Sequence, residues 1–224
     1  APAPAFPASR GMEGSRAGEM REFGGIEVVW CPPTGPEGFL MGSPDDETNL
    51  EDKETQHRVS LTKGFWLAKT ETTQGQWQDL MGSNPSYFKG GNLPVETVSW
   101  EDVEGWLEKM NSQNALPSGW KWFLPTEAQW EYACRAGTET AFSFGSMLNG
   151  KEENCCGHSP YGTSAKGPYL VKTKDVGGYA ANAWGLYDMH GNVREWCADY
   201  YGDYPSGSAT DPKSATTGSR RVLR

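Results

Sequence analysis

Glycine and proline interrupt this chain too often for long regular elements: 28 Gly and 15 Pro stand among 224 residues. From Thr138 to Asn182 the chain runs through Gly, Ser, Asn and aromatic residues with neither a helical nor a strand period. A loop of that length inside a compact domain either folds around something or carries function, and a bound metal is one way to hold it. Hydrophobic residues make up only 36%, but ten Trp, nine Tyr and eight Phe supply large areas to bury. These features predict one loop-rich, aromatic-cored α+β domain and exclude a helical bundle. No period of 20 to 50 residues recurs, which excludes solenoids and propellers.

Residues 1–22, rich in Ala, Pro, Gly and charge, read as a disordered tether, with the domain over 23–224. The first strand-like run is Gly25–Trp30, and a Pro/Gly turn leads to a second at Gly38–Gly42, which together read as a hairpin. Ser43–Thr55 carries six acidic residues against Lys53 and reads as a solvated loop before strand-like Arg58–Leu61 and Gly64–Leu67. Three short helices follow. One spans Thr73–Met81. The second is capped by Ser99 with Asp102 at the capping-box position and an apolar stripe of Val103, Trp106, Leu107 and Met110. The third starts at Thr126 with Gln129 in the box position and stops at Gly137.

The formal net charge of −9, with no run of Lys and Arg, argues against nucleic acid and anionic membrane as partners. No run of eighteen apolar residues exists, so no membrane insertion is expected. Cys31, Cys134, Cys155, Cys156 and Cys197 show no zinc-type C-x-x-C spacing. Neighbouring Cys155 and Cys156 cannot easily pair with each other, so they either seek separate distant partners or stay reduced; with His158 they could be soft-metal ligands, but disulfides or buried thiols are the preferred reading. The compartment stays open, with a leaning towards an extracytoplasmic or cell-surface setting.

The densest constellation runs from Trp184 to Trp196 and sets the carboxylates of Asp188 and Glu195 seven residues apart with Gly191 between them. Carboxylates and backbone carbonyls of such a loop could surround calcium, which takes six to eight oxygens. Spacing alone also allows Asp188 and Glu195 to cap a turn and pair with Arg194 or a neighbour, and favours that simpler reading. His190 has no Ser, Cys or second His in fixed relation to it and reads as a structural hydrogen-bonding residue. No hydrolase or nucleotide motif is present.

Five segments occur in a fixed order: Gly38–Ser43, Thr70–Gln74, Pro94–Trp100, Leu124–Tyr132 and Gly185–Trp196. This series resembles that of the formylglycine-generating enzymes and sulfatase-modifying factors, over roughly residues 24 to 224. The resemblance implies a C-type-lectin-like topology stabilised by calcium and, in the enzymes, an oxygen-dependent oxidation of a protein cysteine. It implies one calcium site at Asp188, the carbonyls of Gly191 and Val193, and Glu195, reversing the preference drawn from spacing. A second family site begins at positions matching Asn154 and the Cys155 carbonyl, but its later Asp falls near Pro168 here.

In the enzymes, the run matching Arg220–Arg224 leads into a Gly-Gly-Ser segment and then a copper-binding cysteine pair. None of the five cysteines here occupies those positions, so copper and catalysis are expected only of a longer chain, and no catalytic residue is assigned within these 224. Two readings follow: the body of a copper- and oxygen-dependent oxidase of a protein cysteine, or a non-enzymatic scaffold that binds ligand through a variable C-terminal surface, as in retroelement-diversified variable proteins. Either is expected to meet a protein or peptide, and as a monomer.

Overall fold

In the computed structural model, residues 11–44, 55–113, 115–205, 207–213 and 217–224 are described. The acidic stretch 45–54 lies outside them, as do residues 1–10 of the expected tether. The rest of that tether is ordered, a correction to the reading from composition. Strand β1 (Met20–Phe23) pairs antiparallel with β2 (Ile26–Cys31). Upstream, the Met12 carbonyl accepts from Trp66 Nε1 at 2.7 Å and the Gly18 N–H donates to the Trp30 carbonyl at 3.1 Å. Long-range partners order residues that composition alone would leave free.

The β1–β2 connection is Gly24-Gly25, both with positive φ (56° and 79°), the conformation that a two-residue turn between right-twisted strands requires. The expected hairpin between β2 and the next strand, β3 (Phe39–Met41), does not form. β2 pairs on its other edge with β5 (Phe65–Ala68), while β3 pairs with β4 (His57–Ser60). Pro32-Pro33 lack the N–H groups that would continue a ladder.

β7 (Ala209–Thr210) runs parallel to β4, and β6 (Trp196–Tyr200) pairs with β8 (Arg221–Leu223) across an irregularity. Helices α1 (Gln74–Met81), α2 (Trp100–Ser112) and α3 (Glu127–Arg135) begin at Thr73, Ser99 and Thr126, each closed by a reciprocal capping box. The left-handed C-cap of α3 falls on Ala136, one residue before the expected glycine.

β2 stands between two cores and is therefore buried on both faces. Val29 and Cys31 join a cluster with Met41, Val59, Phe65, Trp130, Leu186 and Val222 beneath α3. Ile26 and Val28 turn the other way and meet Trp77, Trp106, Leu107 and Met110 of α1 and α2. Trp77 and Trp106 stack with centroids 6.3 Å apart. The long stretch after α3 contains no helix or multi-residue strand among its described residues. It is held instead by single bridges such as Leu148–Tyr161 and by side chains of the constellation near Asp188.

Candidate metal loop and adjoining cleft

Residues Asp188–Glu195 lead from a buried Leu186 into β6. Asp188 and Asn192 both take left-handed backbone (φ 57° and 68°), which curls the loop tightly. Gly191 permits a close approach: a Cβ there would lie 2.8 Å from the Asn154 carbonyl oxygen. The Asn192 side chain behaves like a strand partner, accepting from the Lys174 N–H at 2.8 Å and donating to the Lys174 carbonyl at 3.0 Å. Asp188 Oδ2 accepts from the Gly177 N–H at 2.6 Å. The loop thereby organises the end of the 138–182 stretch.

Asp188 is buried, and half-buried Glu195 accepts from Trp130 Nε1 at 3.2 Å. The Gly191 and Val193 carbonyls accept no hydrogen bond among the described residues. The pairing with Arg194 is not formed among the described residues: Arg194 is exposed, and no described ion pair joins it to either carboxylate.

Two carboxylates that the sequence did not single out as site residues crowd the same place. Glu71, from the turn between β5 and α1, receives Asn192 Nδ2 on Oε2 at 3.3 Å, while its buried Oε1 has no partner among the described residues. Glu153 is 2% exposed, and its Oε2 is likewise unpartnered. Burial and the nearby charges of Glu195 and Asp188 push Glu71 up to about 10. Burial and Asp188 push Glu153 up to about 8, and Glu195 up to about 7. Lys174 is the cation that offsets this crowding at Asp188 and Glu153. Buried carboxylates short of positive charge, beside free carbonyls, form a hard-oxygen set that suits calcium. No three described His, Cys, Asp or Glu side chains are placed to hold a metal by themselves, so the fit depends on backbone oxygens.

The residues of the expected second site, Asn154 and Cys155, each carry one backbone hydrogen bond on their carbonyl. The Asn154 carbonyl accepts from the Asn192 N–H at 2.9 Å and the Cys155 carbonyl from the Gly157 N–H at 3.0 Å. Asn154 thus ties its loop to the first site. The cysteines do not fit copper(I), which takes thiolates. All five are free; Cys31, Cys134 and Cys197 are buried, and burial drives their thiols far up. Cys155 and Cys156 are both free, the reduced alternative of the two expected, but Cys156 is exposed and Cys155 half-buried, so they are not the buried thiols that were also expected.

The loop also forms one wall of a cleft of about 430 Å³ whose opposite side carries Arg135, Phe142, Ser143 and Arg224. A second hollow of about 610 Å³ shares Glu131, Arg135, Thr140 and Arg224 with it and extends to Ser43 and Tyr161. His190 is held by hydrogen bonds, but the structure also brings Ser143 Oγ to 3.1 Å and Cys134 Sγ to 3.6 Å from its Nε2, two neighbours that the sequence did not place beside it. Its Nε2 accepts from the Ser143 N–H at 3.0 Å, Phe142 and Phe144 meet its ring edge-on, and burial pushes it down to about 4, so it is neutral. It pins the start of the long loop against the cleft.

The family model for the sulfatase-modifying factor enzyme 1-like domain matches residues 28–224. Among curated relatives, the chaperone protein LppX of Paenibacillus barcinonensis is 34% identical over 61% of this chain and 62% of its own. The formylglycine-generating enzyme of Mus musculus is 29% identical over 75% and 43%, and that of Thermomonospora curvata 31% over 71% and 52%. The chain therefore spans between 43% and 62% of the length of these relatives. Among solved structures, Treponema denticola variable protein 1 superposes with a TM-score of 0.69 at 24% identity, covering 92% of this chain and 86% of its own. PvdO from Pseudomonas aeruginosa superposes with a TM-score of 0.71 at 26% identity, covering 91% and 84%. The ordered motifs, the loop-rich architecture and the match over 28–224 together place the chain in the sulfatase-modifying factor family, with the fold of the formylglycine-generating enzymes.

Proposed function

We propose that these 224 residues form a calcium-stabilised binding scaffold of the formylglycine-generating-enzyme type that presents its cleft to a protein or peptide. One observation carries the reading: Asp188, Gly191, Val193 and Glu195, the residues that would offer hard oxygens to an ion, also line the cleft. Asp188, Glu195 and the carbonyls of Gly191 and Val193 would hold the ion, and the ion would supply the positive charge that the buried carboxylates lack. Ordering that loop also fixes His190 and, through Ser143, the opposite wall. Copper- and oxygen-dependent oxidation of a protein cysteine is not assigned to the residues in hand, because their thiols do not fit copper.

The test pairs two measurements. Peptides selected from a displayed library against the calcium-loaded chain are expected to lose affinity on chelation and in Arg135→Ala. Peptides indifferent to both changes would remove the cleft from the reading. Incubation of the chain with copper(I), oxygen and a cysteine-containing sulfatase peptide is expected to give no aldehyde. Aldehyde formation would favour the oxidase.

A further inference from the structure

One stretch of the long loop sets three large apolar side chains on the surface in succession: Tyr169, Leu170 and Val171 are 46%, 39% and 67% exposed. None of them lines the cleft or the second hollow. Single exposed apolar residues are ordinary, whereas an unbroken run held on the surface is the kind of feature that marks an interaction site. This run is held from both sides. Before it, the Gly157 N–H donates to the Pro168 carbonyl at 3.1 Å and the Gly167 N–H to the Gly157 carbonyl at 2.9 Å. After it, Asn154 Nδ2 donates to the Lys172 carbonyl at 2.8 Å, and the Lys174 N–H reaches Asn192. His158 meets the Tyr169 ring edge-on, with centroids 5.7 Å apart. Val171 takes φ 57°, the left-handed region that a β-branched residue avoids. Glycine would suit that backbone better, so folding does not account for a valine there.

We propose that this run docks a protein segment whose apolar side chains are flanked by acidic ones. Lys166 and Lys172 bracket it, both exposed and neither in an ion pair among the described residues. From Lys166 to Lys174 the sequence carries no acidic side chain, on a chain whose formal net charge is −9. The patch is therefore a local positive exception, and carboxylates complement it. The backbone N–H and carbonyl groups of Tyr169, Leu170 and Val171 form no hydrogen bond among the described residues, so a partner's main chain can pair with them. An anionic membrane offers the same charge, but the net charge of the whole chain opposes its approach. A second copy joined through the same patch would set Lys166 and Lys172 against their own counterparts. The surface is separate from the cleft, and the inference does not rest on the peptide reading given to it.

Two displayed peptide pools test this, each with a randomised apolar centre, one flanked by Asp and Glu and the other by Lys and Arg. Both are selected on the intact 224-residue chain with calcium present. The acidic pool is expected to give binders that lose about tenfold in affinity, or about 1.4 kcal/mol, in Leu170→Ser and in Lys172→Glu. Val171→Gly is expected to weaken them severalfold while the melting temperature stays level or rises, because glycine suits the left-handed backbone. A purely structural valine would instead lower the melting temperature on substitution and leave binding alone. No binders from the acidic pool, equal success of the basic pool, or binding indifferent to Leu170→Ser would each overturn the proposal. Competition with peptides selected for the cleft would overturn it while leaving the cleft reading intact. Binding through Leu170 to phosphatidylcholine–phosphatidylserine vesicles but to no peptide would make the run a lipid contact, and a dimer dissolved by Leu170→Ser would make it a self-contact; either result overturns the assignment.

Discussion

Arg224 donates through Nη2 to Glu131 Oε2 at 2.7 Å, joining the end of β8 to the middle of α3. Glu131 is 3% exposed, and its other oxygen accepts from the Gly42 N–H at 2.8 Å and from Arg135 Nε at 2.9 Å. One carboxylate therefore ties three separate parts of the chain. Removing its charge leaves two guanidinium groups facing a neutral amide in a largely buried site, and breaking such a pair typically costs about 3–5 kcal/mol. Glu131→Gln is expected to lower the urea midpoint accordingly. Glu108→Gln, on the exposed face of α2, is expected to stay within about 0.5 kcal/mol of the parent. Similar midpoints for the two variants would contradict the role given to Glu131.

Calcium is expected to raise the melting temperature, and a chelator to reverse the gain. At a concentration about 100-fold above its Kd, an ion that binds only the folded chain adds about 2.7 kcal/mol. For a domain of this size that corresponds to roughly 5–11 °C, at about 2–4 °C per kcal/mol. Glu195→Ala and Asp188→Asn are each expected to abolish the calcium-dependent part of the shift. A melting temperature unaffected by chelator would sink the metal assignment.

Trp106 is 6% exposed and stacked on Trp77, in the middle of the core shared by α1, α2 and β2. Trp106→Ala is expected to destabilise the domain by about 3–5 kcal/mol, the usual cost of truncating a buried aromatic. Urea denaturation read by circular dichroism measures it. A loss below about 1 kcal/mol would mean that the neighbouring helices collapse into the space.

The capped helices were legible because their signals are local: Thr73, Ser99 and Thr126 each stand three residues before a Gln or Asp that closes the box. The stripe of Trp106, Leu107 and Met110 was legible for the same reason, since helical period alone points it inward. Strand pairing was less so. Pro32-Pro33 reads as a hairpin turn, whereas β2 pairs through the Gly24-Gly25 turn that precedes it and with β5, more than thirty residues onward. The candidate loop was visible as Asp188, Gly191, Val193 and Glu195 because its members lie within eight residues. Glu71 and Glu153 were not, because they reach the loop from 117 and 35 residues before Asp188, and no local pattern records such a meeting. Glu71 does sit within one of the ordered motifs, and a carboxylate amid threonines just before a helix cap was the one available hint.

The parallel pair of β4 and β7 should respond to acid. Asp211, just past β7, accepts from the Thr62 Oγ1 at 2.5 Å and the Thr62 N–H at 2.8 Å, and its own N–H donates to the Ser60 carbonyl at 2.8 Å. The Thr62 hydroxyl, followed by its backbone N–H, holds the Asp211 carboxyl below the usual aspartate value of 3.8. Because the folded value is depressed, the unfolded chain takes up a proton first as pH falls. The contribution is therefore complete well above the ordinary aspartate value, and it is lost as pH drops through the folded one. Asp211 is exposed, so solvent screening keeps the effect on the order of 1 kcal/mol or less. Asp211→Asn removes the titration, and its melting temperature is expected to lie below the parent's at neutral pH and to converge with it in acid. A gap between the two that stays constant across the acid range would show that Asp211 holds β7 by shape alone, without its charge.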